Sequence, residues 1–270
     1  MRFEFEPIGV VHSEQKYRFE TPRQGAFSGC DGEIELFSNY AGDAVSDLAG
    51  FGRIWVIFAF HLNLDKAWKA KVRPPFPAGG QCRSVFATRS PHRPNPIGLS
   101  CVELAGISGN HLYLRHIDML SGTPVLDIKP YIPEADAFVD SPVGWRAAVP
   151  VAEKLSWNLE YDPEFLAQAE FIRSESGLDI LNFVQVQLAN EPFDASRKRV
   201  KSVDGSHGIL GCRTWRICFA FDKAIRLIRL EKIESNYSAD ELLPGAEDKY
   251  SDKEFHRNFL RKEHNKRGLI

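Results

Sequence analysis

The chain has 270 residues, and its 34 Lys and Arg nearly balance its 36 Asp and Glu, which gives a net charge of −2. No apolar run approaches the roughly 20 residues that cross a bilayer, and the N-terminus lacks the apolar stretch of a secretory signal. These features exclude a membrane-spanning helix and predict a cytoplasmic protein. The small net charge argues against a protein that coats nucleic acid with its whole surface, but it allows a local basic patch.

Strands separated by turns are predicted throughout the first half of the chain. Their apolar patterns place them at residues 8–11, 33–37, 53–60, 82–87, 99–107, 111–117 and 125–129. Asp43 is expected to cap a short helix that Gly50 ends. Because almost no other helix separates the strands, residues 1–155 are predicted to form a mainly β, barrel-like N-terminal domain.

Helical spacing of apolar residues begins in the second half. Residues 165–173 and 178–188 carry apolar side chains at intervals of three and four, which predicts two helices. A hairpin is predicted around Asp222 and Lys223, and Ser251 with Glu254 can form a capping box for a final short helix. These patterns predict a smaller α+β C-terminal domain at 156–235 and a polar tail at 236–270.

Glycine, cysteine and histidine spacing disfavours two other kinds of site. Gly50-Phe51-Gly52 comes nearest to a dinucleotide-binding fingerprint, but it lacks the third glycine and precedes a strand instead of following one. A Rossmann domain is therefore not expected. The five cysteines and the histidines show no metal-ligand spacing, so no metal site is expected.

A basic stretch without acids lies in the first domain, between Lys66 and Val102. Its cations are Lys66, Lys69, Lys71, Arg73, Arg83, Arg89 and Arg93. Three prolines stiffen the backbone around Arg89 and Arg93, so their guanidinium groups are expected to face an anion at low entropic cost. The alternative is a rigid connection whose charges are solvated or answered by acids elsewhere.

Six short motifs follow one another between residues 8 and 138. They are Ile8-Gly9-Val10, Pro22-Arg23-Gln24, Trp55-Val56-Ile57-Phe58 leading to His61, Val72-Arg73-Pro74-Pro75, the block from Ala87 to Gly98, and the block from Ser121 to Tyr131. In this order they resemble the TsaA/TrmO family of tRNA methyltransferases, also called YaeB. The resemblance implies a β-barrel that binds S-adenosylmethionine, a smaller α/β domain that helps to hold tRNA, and a homodimer.

The same resemblance implies a reaction. The family transfers a methyl group from S-adenosylmethionine to the exocyclic N6 of threonylcarbamoyl-modified adenosine beside the anticodon, so the expected partner is the tRNA anticodon loop. Two rival functions stay open: a small-molecule methyltransferase, and a non-catalytic RNA-binding protein with a vestigial cofactor pocket. Turnover without RNA would identify the first, and tRNA binding without methyl transfer the second.

The resemblance also implies a set of cofactor-lining residues. By analogy with the family these are Pro22, Arg23, Gln24, His61, Leu62, Arg89, Leu99, Arg115, His116, Ile117 and Asp118. Arg89 is expected to pair with the carboxylate of the cofactor, because its planar donors match that group. Asp118 is expected either to bond the ribose or to approach the sulfonium.

A proton acceptor near the target nitrogen would help catalysis, because that nitrogen is amide-like and weakly nucleophilic. Asp127 is the first candidate base and Tyr131 the second. The alternative is that Asp127 and Lys129 merely pair with each other or with neighbours across a strand.

In the C-terminal half the resemblance weakens, because residues 190–199 lack the second proline and the tyrosine of the family pattern. Cations still outnumber acids locally. They are Arg197, Lys198, Arg199, Lys201, Arg213, Arg216, Arg226 and Arg229. Such a surface fits contacts with phosphates, with solvated charge as the alternative.

Overall fold

The computed structural model describes residues 3–22, 29–74, 81–148, 157–189, 192–193 and 199–267. Two compact units divide the chain, Met1–Val151 and Ala152–Ile270. Each unit has its own β-sheet and its own buried apolar residues. In the described ranges, no helix is both long and apolar enough to cross a membrane.

The first unit is built mainly from strands. They are β1 (Gly9–Ser13), β2 (Asp31–Leu36), β3 (Arg53–Ala59), β4 (Lys71–Val72), β5 (Arg83–Ser84), β6 (Ile97–Ser108), β7 (His111–Arg115) and β8 (Pro124–Pro130), followed by the short helix α1 (Pro133–Asp136). Six of the strands close into a barrel in the order β1-β2-β7-β6-β3-β8, and β4 and β5 pair separately. This closed barrel confirms the predicted barrel-like, non-Rossmann fold.

Alternating side chains of β3 show why the barrel forms. Ile54, Val56 and Phe58 are buried in the apolar core, whereas the residues between them face outward. Burial of each such side chain contributes about 1.5–3 kcal/mol. Gly98 of β6 lies opposite Phe58, and a Cβ there would approach the Phe58 ring to 2.3 Å. Only glycine fits this position.

One end of the barrel collects the long connections. All barrel pairs are antiparallel, with β1, β3 and β7 ending where β2, β6 and β8 begin. The segments that follow β1, β3 and β7 therefore emerge at the same end, which we call the loop end. This end carries residues 14–22, 60–74, 81–96 and 116–123 of the described chain.

A β-bulge interrupts β8 close to the loop end. Ile57 pairs with Asp127, but the next residue of β3, Phe58, pairs with Val125, so Leu126 is the additional residue. A bulge shifts the alternation of side chains along a strand. Val125 consequently faces the core, and Asp127, only two residues later, lies on the outer face beside Ile57.

The second unit combines a five-stranded sheet with helices. Its elements are β9 (Asn158–Tyr161), α2 (Pro163–Ser176), α3 (Ile180–Leu188), β10 (Val200–Ser202), β11 (His207–Cys212), β12 (Trp215–Asp222), β13 (Leu227–Ser235) and α4 (Lys253–Arg267). The sheet order is β10-β11-β12-β13-β9, and only β9 runs parallel to its neighbour. A smaller α+β unit is thus confirmed.

Helix α4 packs within the second unit through His256 and Phe259. His256 is fully buried, and its ring stacks on Trp215 with centroids 3.6 Å apart. The hydroxyl of Thr214 lies 2.9 Å from Nε2 of His256. At the start of the helix the carboxylate of Asp248, rather than the predicted capping box, accepts the backbone N–H groups of residues 252 and 253.

Two further local predictions were wrong. The expected helix after Asp43 is a series of 3-10 turns at Ser38–Tyr40, Gly42–Val45 and Leu48–Gly50, and the Asp43 side chain caps none of them. The strand expected at 82–87 shortens to β5 and a 3-10 turn. Strands β9, β10 and β11 were not predicted, because they are short or interrupted by glycine, and their apolar alternation is correspondingly weak.

Candidate active site

A short hydrogen bond at the loop end joins Ser100 to Asp118. Ser100 lies on the inner face of β6 and is 7% exposed, and its hydroxyl donates to the carboxylate of Asp118 at 2.6 Å. Asp118 itself is half-buried. The bond fixes the position of a carboxylate that belongs to the predicted cofactor pocket.

The segment that carries Asp118 turns sharply after β7. Arg115 at the strand end pairs with Glu103 at 3.2 Å, and His116 adopts a left-handed conformation with φ of 58°. Such a conformation is strained for a residue with a side chain. Ile117 is fully buried and anchors the turn. The four predicted residues 115–118 thus form one rigid turn that directs Asp118 towards Ser100.

Arg18 brings two other predicted segments together. Its guanidinium group donates to the carbonyl of Leu62, and the hydroxyl of Thr21 donates to the carbonyl of Arg18 at 3.0 Å. Pro22 is buried directly after this turn. Pro22 and the His61–Leu62 pair therefore share the loop end. The predicted residues Arg23 and Gln24 lie outside the described part of the chain.

His61 is the predicted pocket residue with the clearest electrostatic signature. Partial burial, followed by the charge of Arg18, lowers the pKa of His61 below its usual value of 6.5. Both effects disfavour the protonated ring. His61 is therefore neutral at physiological pH and can line a pocket for a cationic sulfonium without repelling it.

The proline-stiffened loop uses its two arginines differently. Arg93 donates to the carbonyls of Val85 and Thr88 at 3.2 and 2.8 Å, so it braces the loop instead of facing an anion as expected. Arg89 is exposed and has neither a hydrogen-bond nor an ion-pair partner among the described residues. Of the pair, Arg89 is the cation that is free for a ligand.

An outer face of three neighbouring strands holds Leu99 and Asp127. Ile57 of β3 pairs with Leu99 on one side and with Asp127 on the other. Because strands lie about 4.8 Å apart, the two flanking backbones are about 10 Å apart. Asp127 also forms an ion pair of 2.8 Å with Lys129 on the same face. Leu99 is 54% exposed and offers apolar surface beside the carboxylate.

Tyr131 lies away from the loop end. Its backbone N–H donates to the carbonyl of Arg53 at 3.1 Å, and Arg53 begins β3, whereas the loop end follows the last residue of that strand. The Tyr131 ring packs against Trp55 at 5.8 Å. Within one copy of the chain, Asp127 is therefore closer than Tyr131 to the loop end.

Three polar residues at the loop end were not predicted from the sequence: Gln15, Arg18 and Ser100. The side-chain amide of Gln15 is buried, and neither its oxygen nor its nitrogen has a hydrogen-bond partner in the described part of the structure. Buried polar groups are normally satisfied, so an unpaired amide requires an explanation. Single polar residues of this kind show no periodicity or spacing, and only the folded barrel brings them to the loop end.

Metal ligands do not cluster in the described residues: no group of three or more His, Cys, Asp or Glu side chains there is arranged to hold a metal ion. The acid and base groups discussed above are instead spread over several loops. What they share is a position around the loop end of the barrel.

The basic residues predicted in the second unit are partly neutralised. Arg229 faces outward and pairs with Asp162 at 3.1 Å and Glu160 at 4.0 Å. Arg216 donates to the side-chain oxygen of Asn236 at 2.5 Å. Lys201 is exposed, and residues 197 and 198 lie outside the described ranges.

A closed antiparallel barrel with ionisable loops gathered at one end places this protein among the β-barrel proteins and outside the Rossmann class. Residues 10–137 match the model of the tRNA-methyltransferase O N-terminal domain. A tRNA (adenine(37)-N6)-methyltransferase of Escherichia coli K12 is 37% identical over 203 residues, which cover 73% of this chain and 84% of the relative. The chain therefore belongs to the tRNA-methyltransferase O family.

Other relatives agree with this assignment. A protein of Archaeoglobus fulgidus described as an S-adenosyl-L-methionine-binding protein is 45% identical over 130 residues, covering 48% of this chain and 90% of its own length. A crystal structure of TrmO superimposes with a TM-score of 0.63 at 30% identity and covers 86% of this chain and 99% of its own. The predicted family and fold are confirmed.

Proposed function

We propose that this protein transfers the methyl group of S-adenosylmethionine to N6 of adenine 37 in tRNA. Membership of the tRNA-methyltransferase O family carries the proposal, together with relatives named as tRNA (adenine(37)-N6)-methyltransferases. The loop end, which belongs entirely to the first unit, carries charged and polar side chains that fit S-adenosylmethionine. The rival small-molecule and non-catalytic functions have no comparable support.

The residues at the loop end fit the cofactor. Arg89 is a free cation for the carboxylate of its amino-acid end. Asp118, held by Ser100, is an acceptor for ribose hydroxyls or a partner for the sulfonium. The buried amide of Gln15 has no partner in the described chain, and a bound polar ligand would satisfy it. Leu99 adds exposed apolar surface for the adenine face.

The proposed catalytic group is Asp127, with Tyr131 as the second candidate. S-adenosylmethionine supplies a methyl group on a sulfonium leaving group, so the protein must position the target nitrogen and accept one proton from it. The bulge at Leu126 turns the Asp127 carboxylate to the outer face, where it is accessible to RNA. Lys129, at 2.8 Å, pairs with this carboxylate and orients it.

The finer identity of the substrate is also a proposal: threonylcarbamoyl-modified adenosine in the anticodon loop, in the cytoplasm. The motif resemblance supports it, as does the half-exposed position of Asp127 on the outer face, which leaves room for a bulky base. We further propose a homodimer. Phe138, Val139 and Val143 are 73%, 94% and 60% exposed, and apolar exposure of this extent marks interaction surfaces.

Methyl transfer with labelled cofactor tests the proposal. Purified protein is incubated with tRNA from cells that lack the gene, and the nucleosides are analysed by mass spectrometry. We expect one methyl group on the modified adenosine and none on tRNA whose adenine 37 is unmodified. Transfer without RNA would favour a small-molecule methyltransferase. Binding of tRNA without any transfer would favour a non-catalytic protein.

A further inference from the structure

Arg18, Lys66 and Lys69 converge on His92, although Arg18 is distant from them in sequence. The backbone N–H of Lys69 donates to the carbonyl of His92 at 3.1 Å. The backbone N–H of Lys66 donates to the carbonyl of Asn63 at 3.1 Å, and the Asn63 amide donates to Nδ1 of His92 at 3.4 Å. Because Arg18 donates to the carbonyl of Leu62, the next residue to Asn63, it joins the same group.

Positive charge in this group is uncompensated. No ion pair connects Arg18, Lys66 or Lys69 to a carboxylate in the described ranges, and all three side chains are exposed. Burial, followed by the charges of Lys69, Lys66 and Arg18, lowers the pKa of His92 below 6.5. A histidine that its neighbours keep from protonation reports a positive local potential.

We propose that Arg18, Lys66 and Lys69 form a binding site for backbone phosphates of RNA, next to the proposed cofactor site. The inference rests on the proposed function, because it assigns these charges to the tRNA substrate. With Nδ1 accepting from Asn63, the neutral His92 ring carries its proton on Nε2, which is thus a further donor for a phosphate oxygen.

An exposed indole distinguishes an RNA phosphate from the carboxylate of the cofactor. Trp68 lies between the two lysines in sequence and is 52% exposed. Exposed aromatic rings among cations provide stacking surfaces for unpaired bases, each worth about 1–3 kcal/mol. The cofactor needs one cation for its carboxylate, and Arg89 already supplies one. Several separated cations with a stacking ring suit a nucleic-acid strand instead.

Salt dependence of tRNA binding tests the site directly. The variant Lys66→Gln/Lys69→Gln is compared with wild type by fluorescence anisotropy at several salt concentrations. Each lost phosphate contact should reduce the slope of log affinity against log salt by about 0.7–0.9, so we expect a total reduction of about 1.4–1.8. Lys232→Gln is the matched control, because Glu234 already neutralises Lys232 at 2.6 Å.

Two further measurements separate the alternatives. Trp68→Ala should weaken tRNA binding about tenfold while leaving the salt slope unchanged, because stacking releases no counterions. Calorimetry with S-adenosylmethionine should give wild-type affinity for the double lysine variant. An unchanged salt slope would overturn the phosphate site, and so would a weakened cofactor affinity, which would assign the charges to the cofactor.

These measurements can reject the phosphate site and the proposed methyl transfer separately. If wild-type protein fails to methylate tRNA but the lysine variant still loses its salt slope, the proposed function fails and the phosphate site stands. If wild-type protein methylates tRNA and the slopes agree, the site is rejected and the function stands.

Discussion

The hydroxyl of Ser100 donates a hydrogen bond of 2.6 Å to the carboxylate of Asp118, across 18 residues of sequence. The two residues belong to different walls of the loop end, since Ser100 lies in β6 and Asp118 follows β7. A charge-assisted bond of this length is stronger than a neutral one. In the proposed cofactor site Ser100 is a positioning residue, because it would act through Asp118.

Replacement of Ser100 should weaken cofactor binding. We expect Ser100→Ala to raise the Kd for S-adenosylmethionine about five- to tenfold, because Asp118 loses the bond that fixes its rotamer. Isothermal titration calorimetry measures the change. Ser108→Ala, at the exposed end of the same strand, is the control and should bind normally. Equal affinity of the two variants would remove Ser100 from the site.

Arg89 and Arg93 should give opposite phenotypes. Arg89→Ala should lower cofactor affinity about 10- to 100-fold and leave the melting temperature unchanged, because its charge is free in the described structure. Arg93→Ala should lower the melting temperature, because the carbonyls of Val85 and Thr88 lose their donor. Calorimetry and thermal unfolding together measure both. Near-normal cofactor binding by Arg89→Ala would exclude Arg89 from the pocket.

Replacement of Gln15 should stabilise the free protein and weaken its binding of the cofactor. An apolar side chain of similar size removes a buried amide without partners in the described chain, so we expect Gln15→Leu to stabilise the free protein by about 1–2 kcal/mol. The same change should weaken S-adenosylmethionine binding, because the ligand loses a polar contact. Denaturant unfolding and calorimetry measure the two effects. A destabilised variant with normal affinity would contradict this role.

Turnover should depend on the Asp127 carboxylate. Asp127→Asn keeps the size of the side chain but removes the proton acceptor, so kcat should fall about 100-fold or more while cofactor affinity is retained. Single-turnover methyl transfer to tRNA measures the rate. Asp140→Asn, an exposed carboxylate in the same unit, is the matched control. Full turnover by the Asp127 variant would eliminate it as the base and leave Tyr131 as the candidate.

The pKa of His61 should respond to Arg18. Partial burial is the larger cause of its lowered pKa and the charge of Arg18 the second, so Arg18→Gln should raise the pKa of His61 but leave it below 6.5. Titration of the ring followed by NMR measures the shift. The pKa of His92 should move less, because Lys69 and Lys66 contribute more to it than Arg18 does. Lys16→Gln is the control and should change neither.

His61 and His92 should make the free energy of unfolding depend on pH. Below pH 6.5 His61 and His92 bind protons in the unfolded chain, whereas their lowered pKa values disfavour protonation in the folded state. Stability from these residues is therefore complete above 6.5 and is lost as the pH falls towards their lowered folded pKa values. Unfolding by denaturant across this range should show a smaller loss for Arg18→Gln.

Much of the architecture could be predicted from the sequence, because apolar and polar side chains alternate along strands and the residues that end each element lie next to it in the chain. The barrel strands β3, β6, β7 and β8 were predicted within about two residues of their ends. The family and its cofactor followed from motifs whose order is linear. Short strands such as β10 escaped, because three residues are too few to show a period.

Details of the site depended on tertiary contacts that no local pattern encodes. The sequence indicated that Arg89 and Arg93 belong to one stiff loop, but it could not show that Arg93 donates its hydrogen bonds to backbone carbonyls of that loop. It offered a pair between Asp127 and Lys129 as the alternative to a catalytic role for Asp127, and the structure contains this pair. Gln15 and Ser100 became visible only when distant segments met.

The additional residue in β8 keeps the Asp127 carboxylate out of the apolar interior. If β8 paired with β3 without the bulge at Leu126, regular alternation would place Asp127, two residues after Val125, on the same inward face as Val125. A charge buried there without a partner would cost several kcal/mol, which exceeds what most domains can lose without unfolding. The charge of Asp127 therefore holds β8 in its bulged register, because straightening the strand at its present length would bury that charge.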